Sequence, residues 1–138
     1  MKHLIYLIFL CAVVGCSQGT LITGTVHFDD GTPVTKGSVV FDSAKESFFG
    51  TISSEGNYTT GRNKEKQGIP DGNYTVWLSE TEKIENKRDD KGLTIGGSIT
   101  QLVAPEFRSP SKSPLRFEVK KGVTKTFDIV VERNKTGK

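Results

Sequence analysis

Apolar side chains recur at every second residue through most of the chain after residue 20, and this alternation constrains the fold more than any other feature. In the clearest stretch, Tyr74, Val76 and Leu78 alternate with Thr75 and Trp77. A period of two places alternate side chains on one face of a β-strand, whereas an amphipathic helix needs a period of 3.6. The same pattern recurs in Ile22, Val26 and Phe28, in Val39 and Phe41, in Leu115, Phe117 and Val119, and in Phe127, Ile129 and Val131. We therefore predict an all-β domain.

Turn residues separate these stretches and set the number of strands. Residues 29–31 (Asp-Asp-Gly), 54–56 (Ser-Glu-Gly) and 121–122 (Lys-Gly) are typical of turns, and the 54–56 turn predicts a hairpin between residues 49–53 and 57–60. Short strands at this spacing favour a single antiparallel β-sandwich of about seven strands, spanning residues 20–133. Residues 134–138 are then a frayed tail.

The charge-dense stretch over residues 80–91 interrupts the alternation. Nine of its twelve residues are charged, and we expect it to form a solvated, mobile loop.

The first fifteen residues have the pattern of an export signal. Lys2 is followed by an unbroken apolar run over residues 4–14. As a helix this run spans roughly 16 Å, about half of a bilayer core, so it predicts a signal-peptide core rather than a permanent span.

The export segment ends in Val13, Val14, Gly15 and Cys16, which resembles the lipobox of bacterial lipoproteins. The resemblance implies cleavage after residue 15, diacylglyceryl transfer to the Cys16 thiol, and a short tether over residues 16–19. Two or more acyl chains hold a protein firmly on a bilayer. Because Ser17 stands where an inner-membrane retention signal would place Asp, we expect a lipid anchor in the cell envelope, in the outer membrane. The alternatives are a plain secretory signal and an uncleaved anchor, with Cys16 incidental in both.

Few residues in the chain are suited to catalysis or to metal binding. The histidines are His3 and His27, and the cysteines are Cys11 and Cys16. We expect no enzyme activity, no cofactor and no metal, although the Asp pairs at 29–30 and 89–90 leave calcium as an alternative to simple turn formation. The net charge of +3 is spread along the chain and does not indicate a nucleic-acid partner.

Trp77 is the candidate binding residue. It falls on the strand face opposite Tyr74, Val76 and Leu78, where an exposed indole would stack on a sugar ring or anchor a protein partner. The alternative is that residues 81–114 fold over it. Tyr74 itself is predicted to tie its strand to a neighbouring loop through its hydroxyl.

The order of the turn motifs resembles carboxypeptidase-regulatory-like, or transthyretin-like, domains, and the small planctomycete-type lipoproteins that carry a lipobox before such a domain. The motifs are residues 24–26 (Gly-Thr-Val), 30–34 (Asp-Gly-Thr-Pro-Val), 55–58 (Glu-Gly-Asn-Tyr, with Glu55 in place of the usual Asp), 70–76 (Pro-Asp-Gly-Asn-Tyr-Thr-Val), 103–107 (Val-Ala-Pro-Glu-Phe) and 113–115 (Ser-Pro-Leu). The resemblance implies a prealbumin-like sandwich on the envelope, with an immunoglobulin-like topology as the alternative.

These observations together predict a lipid-anchored, non-catalytic envelope lipoprotein that acts as a structural or binding module. The first alternative is a module that recognises a glycan or an envelope protein through Trp77. The second is a small hydrolase on the transthyretin-like fold, which would depend on His27, the one histidine after Cys16.

Overall fold

The computed structural model describes residues 19–60, 68–120 and 125–136. The predicted export segment, the predicted lipobox and Cys16 lie outside the described residues, as does the predicted turn at residues 121–122. The strands are β1 (Ile22–Phe28), β2 (Ser38–Asp42), β3 (Ser47–Thr51), β4 (Asn57–Thr60), β5 (Gly72–Ser79), β6 (Glu82–Arg88), β7 (Thr94–Gln101), β8 (Leu115–Val119), β9 (Lys125–Thr126) and β10 (Ile129–Val131). One 3-10 helix spans Pro105–Arg108. Within these ranges no helix has the length and apolar character needed to cross a bilayer.

Two sheets pack face to face, which confirms the all-β class. Sheet A has the order β10-β1-β4, with β9 also paired to β1, and sheet B has the order β3-β2-β5-β8. The alternating residues predicted to be apolar and inward are buried between the sheets, including Val26, Phe41, Val76 and Ile129. Phe41 lies at the centre of this core, where its ring contacts those of Tyr58, Tyr74, Phe117 and Phe127 at centroid distances of 6.0–6.5 Å.

The pairing of β1 differs from the purely antiparallel sandwich that we predicted. Its partners β9 and β10, near the end of the chain, run parallel to it, and Val26 lies beside Ile129 in this register. Sheet B is antiparallel throughout. The alternation of side chains is the same in parallel and antiparallel strands, so it could not distinguish the two directions.

The predicted hairpin around residues 54–56 is wrong in its pairing. The turn exists, since the Ser53 amide donates to the carbonyl oxygen of Asn57 at 2.8 Å and Gly56 has φ = 85°. The flanking strands, however, enter different sheets: β3 is the edge of sheet B, and β4 pairs with β1 in sheet A. A tight turn is needed in both arrangements, so the turn signal alone does not decide between a hairpin and a corner between sheets.

Residues 80–91 form ordered structure in place of the predicted mobile loop. β6 and β7 pair as an antiparallel hairpin, with a β-bulge beside Lys87 and Arg88. At its tip, Asp89 Oδ1 accepts hydrogen bonds from the amides of Lys91 (2.9 Å) and Leu93 (2.8 Å). Most hairpin residues are exposed. The charges predicted solvation correctly, but a solvated segment can still be a strand.

Thr20, near the start of the described chain, and the β6–β7 hairpin lie at opposite ends of the sandwich. Thr20 exchanges backbone hydrogen bonds with Ile69 (2.8 and 2.7 Å), just before β5 begins. β5 then runs for eight residues, roughly 25 Å. Beyond its far end, the Leu102 amide donates to the carbonyl oxygen of Thr81 at the base of the hairpin.

Candidate functional site

The outer face of sheet B carries a row of apolar side chains across three strands. Val40 on β2 lies directly opposite Phe49 on β3 and Trp77 on β5. Their neighbours along each strand, such as Phe41, Phe48 and Val76, point into the core. The side chains of Phe49, Val40 and Trp77 therefore point away from the core, and we call them the aromatic row.

Trp77 lies on the outer face of the sheet, as the sequence predicted. Its side chain is half-buried there, neither fully exposed nor fully covered. Its indole Nε1 is buried and has no hydrogen-bond partner among the described residues. The polar edge of this tryptophan is therefore turned away from solvent, and the ring offers only part of its surface to a ligand.

The alternative, that residues 81–114 cover Trp77, holds only in part. The hairpin within this segment is exposed and does not lie over the sheet. The last part of the segment lies against β5, where the Ser113 hydroxyl donates a short hydrogen bond to the carbonyl oxygen of Val76. Trp77 is thus flanked on one side by this segment and on the other by Val40, which is 1% exposed.

Phe49 is the exposed aromatic residue of the row, and sequence reasoning missed it. Its side chain is 55% exposed, while that of Phe48 is 2% exposed. Two adjacent phenylalanines in a strand must point to opposite faces, so residues 48–49 carried a signal for one outward aromatic ring. The two aromatic side chains of the row are separated by two strand spacings, roughly 10 Å.

A polar depression adjoins the aromatic row on the same sheet. It has a volume of about 500 Å³ and lies along β5 and β8, where its lining includes Asn73, Thr75, Arg116 and Glu118. The Arg116 guanidinium donates through Nη1 to the carbonyl oxygens of Ser113 (2.6 Å) and Leu115 (2.9 Å), which fixes its position. The hydrogen-bonding groups of the depression therefore lie beside the Trp77 end of a row in which Phe49 is exposed and Val40 is buried.

His27 lies elsewhere, on the outer face of sheet A. His27 is half-buried. Its backbone pairs with Val130 of β10 in the parallel ladder on one side and forms an isolated antiparallel bridge with Pro33. No group of three or more His, Cys, Asp or Glu side chains suited to a metal ion occurs within residues 19–60, 68–120 and 125–136.

The Asp pairs belong to turns. Asp30 Oδ1 accepts hydrogen bonds from the Thr32 hydroxyl (2.5 Å) and the Thr32 amide (2.9 Å), and Asp30 Oδ2 pairs with Nε of Arg133 at 3.2 Å. These hydrogen bonds, together with the Arg133 charge, lower the pKa of Asp30. The Arg133 guanidinium also lies 3.9 Å from the centre of the Phe28 ring. Asp30 thereby ties the end of β1 to the end of the chain, and Asp89 closes the hairpin tip.

Two buried tyrosines have structural contacts. The Tyr74 hydroxyl donates to the carbonyl oxygen of Pro70 at 2.8 Å, which confirms the predicted corner tyrosine. The Tyr58 hydroxyl donates to the carbonyl oxygen of Phe127 at 2.5 Å. Burial raises the pKa of both phenols, most strongly for Tyr58, so each remains a neutral donor.

Comparison with known proteins identifies no relative: no family model, no curated protein and no solved structure matches this chain.

Proposed function

We propose that this chain is a lipid-anchored, non-catalytic module of the cell envelope that holds a β-sandwich against the membrane and displays binding surfaces from it. The proposal includes acylation of Cys16, export through the secretory pathway and residence in the outer membrane. It also retains the transthyretin-like type of sandwich, with an immunoglobulin-like topology, in which corner tyrosines such as Tyr74 occur, as the alternative.

The position of Thr20 carries the proposal. Only residues 17–19 separate it from Cys16, and three residues extend over about 10 Å at most. Thr20 is already fixed to Ile69 by two backbone hydrogen bonds, and its hydroxyl donates to the carbonyl oxygen of Lys120 at 3.2 Å. A lipid on Cys16 would therefore hold this end of the sandwich near the bilayer, with sheet B accessible from the side.

The non-catalytic assignment is supported by what the perturbed ionisable groups do. Hydrogen bonds from Thr32 lower the pKa of Asp30, and burial raises the pKa of Tyr58 and Tyr74. The pKa of Glu85 is lowered by its 2.5 Å ion pair with Lys83 on the exposed hairpin. Asp30, Glu85 and the two tyrosines around Phe41 lie at three separate places in the fold.

Metabolic labelling with a fatty-acid probe tests the anchor. The parent chain is expected to take up the label and to sediment with membranes, whereas Cys16→Ser is expected to lose both properties. Cys11→Ser, which changes the other cysteine, is the matched control and should behave as the parent. Full label on Cys16→Ser would refute the anchor.

A second candidate function is recognition of an extended glycan by the aromatic row and the polar depression beside it. The exposure of Phe49 in the same row as Trp77 favours it, since two aromatic surfaces beside hydrogen-bonding groups suit sugar rings. In a glycan-array screen of the full chain, Phe49→Ala is expected to abolish binding. Val130→Ala, an equally exposed apolar residue on sheet A, should retain it. Binding by Phe49→Ala at the parent level would exclude this function.

A further inference from the structure

The two strands of the projecting hairpin differ sharply in charge. β6 carries five charged side chains in seven residues, Glu82, Lys83, Glu85, Lys87 and Arg88, while the eight residues of β7 carry none. Each strand pairs only with the other within the described residues, so each has one open edge. Charged side chains on an edge strand oppose the addition of a further strand. The hairpin therefore has one protected edge, on β6, and one open edge, on β7.

The sequence of β7 is nearly symmetric about Gly97. Thr94 and Thr100 lie three residues to either side of it, and Ile95 and Ile99 lie two residues to either side. In an antiparallel pair of identical strands with a two-fold axis at Gly97, Ile95 of each copy meets Ile99 of the other. Thr94 pairs with Arg88 across the β-bulge and lies outside this register. Cross-strand pairs of β-branched residues stabilise antiparallel sheets.

The exposed isoleucines of the hairpin fit the same arrangement. Ile84 lies directly opposite Ile99 in the hairpin, and both side chains are more than half exposed, as is that of Ile95. A two-stranded hairpin is marginal in water, whereas a sheet of three or more strands with an apolar face is stable. Joining two hairpins would bring Ile84, Ile99 and the second copy's Ile95 into one row, and would do the same on the other side of the axis.

We propose that β7 is a self-association edge, at which a second copy of this chain adds antiparallel about Gly97 to form a four-stranded sheet with the order β6-β7-β7-β6. The surface is separate from the aromatic row and does not depend on the lipid anchor. The β-bulge lies at Ile95, so each Ile95–Ile99 pair lies at an end of the regular part of the interface. A single added strand buries less area than a standard interface, so the dimer is expected to be weak.

Cysteine crosslinking tests the register. Full-length Ile95→Cys and Ile99→Cys chains are prepared separately and mixed, then oxidised with copper phenanthroline. In the proposed pair, residue 95 of one chain faces residue 99 of the other at a distance that a disulfide can bridge. Identical positions are offset by four residues, roughly 13 Å, which a disulfide cannot bridge.

The mixture is therefore expected to give a crosslinked dimer and each variant alone to give none. All chains also carry Cys11→Ser and Cys16→Ser, so the introduced cysteines are the thiols that can be oxidised. Absence of the dimer from the mixture, or equal dimer in the unmixed samples, would overturn the proposal.

A matched pair of lysine substitutions gives an independent measurement. Ile99→Lys places a charge on the open edge and is expected to leave only monomer by sedimentation velocity of the detergent-solubilised chain. Val130→Lys changes an equally exposed β-branched residue on β10 of sheet A, outside the hairpin, and is expected to retain the dimer. Equal loss of dimer from both variants would contradict edge pairing.

Discussion

The hydroxyl of Tyr74 donates a 2.8 Å hydrogen bond to the carbonyl oxygen of Pro70, four residues earlier in the chain. This bond holds the loop before β5 against the first residues of that strand, close to the Thr20–Ile69 pairing. Tyr74→Phe keeps the buried ring and removes only the hydrogen bond. The expected loss is about 1 kcal/mol in the free energy of unfolding, measured by urea denaturation. A variant as stable as the parent would show that the bond contributes nothing to the corner.

Replacing either of two buried threonines, Thr81 or Thr60, by valine is expected to change the stability of the fold, with opposite signs at the two positions. The Thr81 hydroxyl is buried without a partner among the described residues, whereas the Thr60 hydroxyl donates to the carbonyl oxygen of Ile22 at 3.2 Å. Valine has nearly the same shape as threonine and no hydroxyl. Thr81→Val is therefore expected to stabilise the fold by about 1 kcal/mol, and Thr60→Val to destabilise it by about 1 kcal/mol. Urea denaturation of both variants measures this contrast, and a destabilised Thr81→Val would contradict it.

The Asp30 carboxylate is expected to contribute to the free energy of unfolding in a way that depends on pH. Hydrogen bonds from Thr32 and the Arg133 charge hold its pKa below the ordinary value of 3.8. For an acid whose pKa is depressed in the folded state, the added stability is complete above the unfolded pKa. It disappears as pH falls through the folded pKa. Asp30→Asn should therefore be less stable than the parent at neutral pH, and this difference should shrink in acid below pH 3.8. Asp29→Asn, in the same turn, is the control, because its carboxylate accepts none of these bonds.

Gly50 lies where β3 and β4 pass close to each other, and a larger residue there should destabilise the fold. A Cβ atom at this position would lie 2.7 Å from the carbonyl oxygen of Thr59, where the two strands cross. Gly50→Ala must displace this backbone and is expected to destabilise the fold by about 1–3 kcal/mol. The exposed neighbour Thr51 provides the control, since Thr51→Ala should change stability by less than about 0.5 kcal/mol. A neutral Gly50→Ala in thermal denaturation would mean that the crossing can widen.

Side-chain alternation predicted which residues form the core, but it could not predict how the strands pair. Val39, Phe41, Val76 and Leu78 are buried as expected, because a period of two determines the face of each residue whichever strand lies beside it. The partner of β4, by contrast, depends on contacts distant in sequence, and the turn at Gly56 is compatible with either sheet.

For the candidate site too, the sequence predicted the face on which a residue lies but not how exposed it is. The sequence placed Trp77 on the outer face, but its exposure depends on Val40 and on the segment that reaches Ser113, which no local pattern reveals. Phe49 was detectable from the adjacent phenylalanines. The hairpin was not expected, because its charges indicate solvent contact and say nothing about backbone pairing.

The parallel pairing of β1 with β9 and β10 also governs when the domain can fold. Strand β1 needs partners that are synthesised much later, since Val26 lies beside Ile129. Contacts between such distant residues form late and slowly. A nascent chain that stops short of residue 129 lacks one edge of sheet A, so the domain should fold only after β10 has been synthesised.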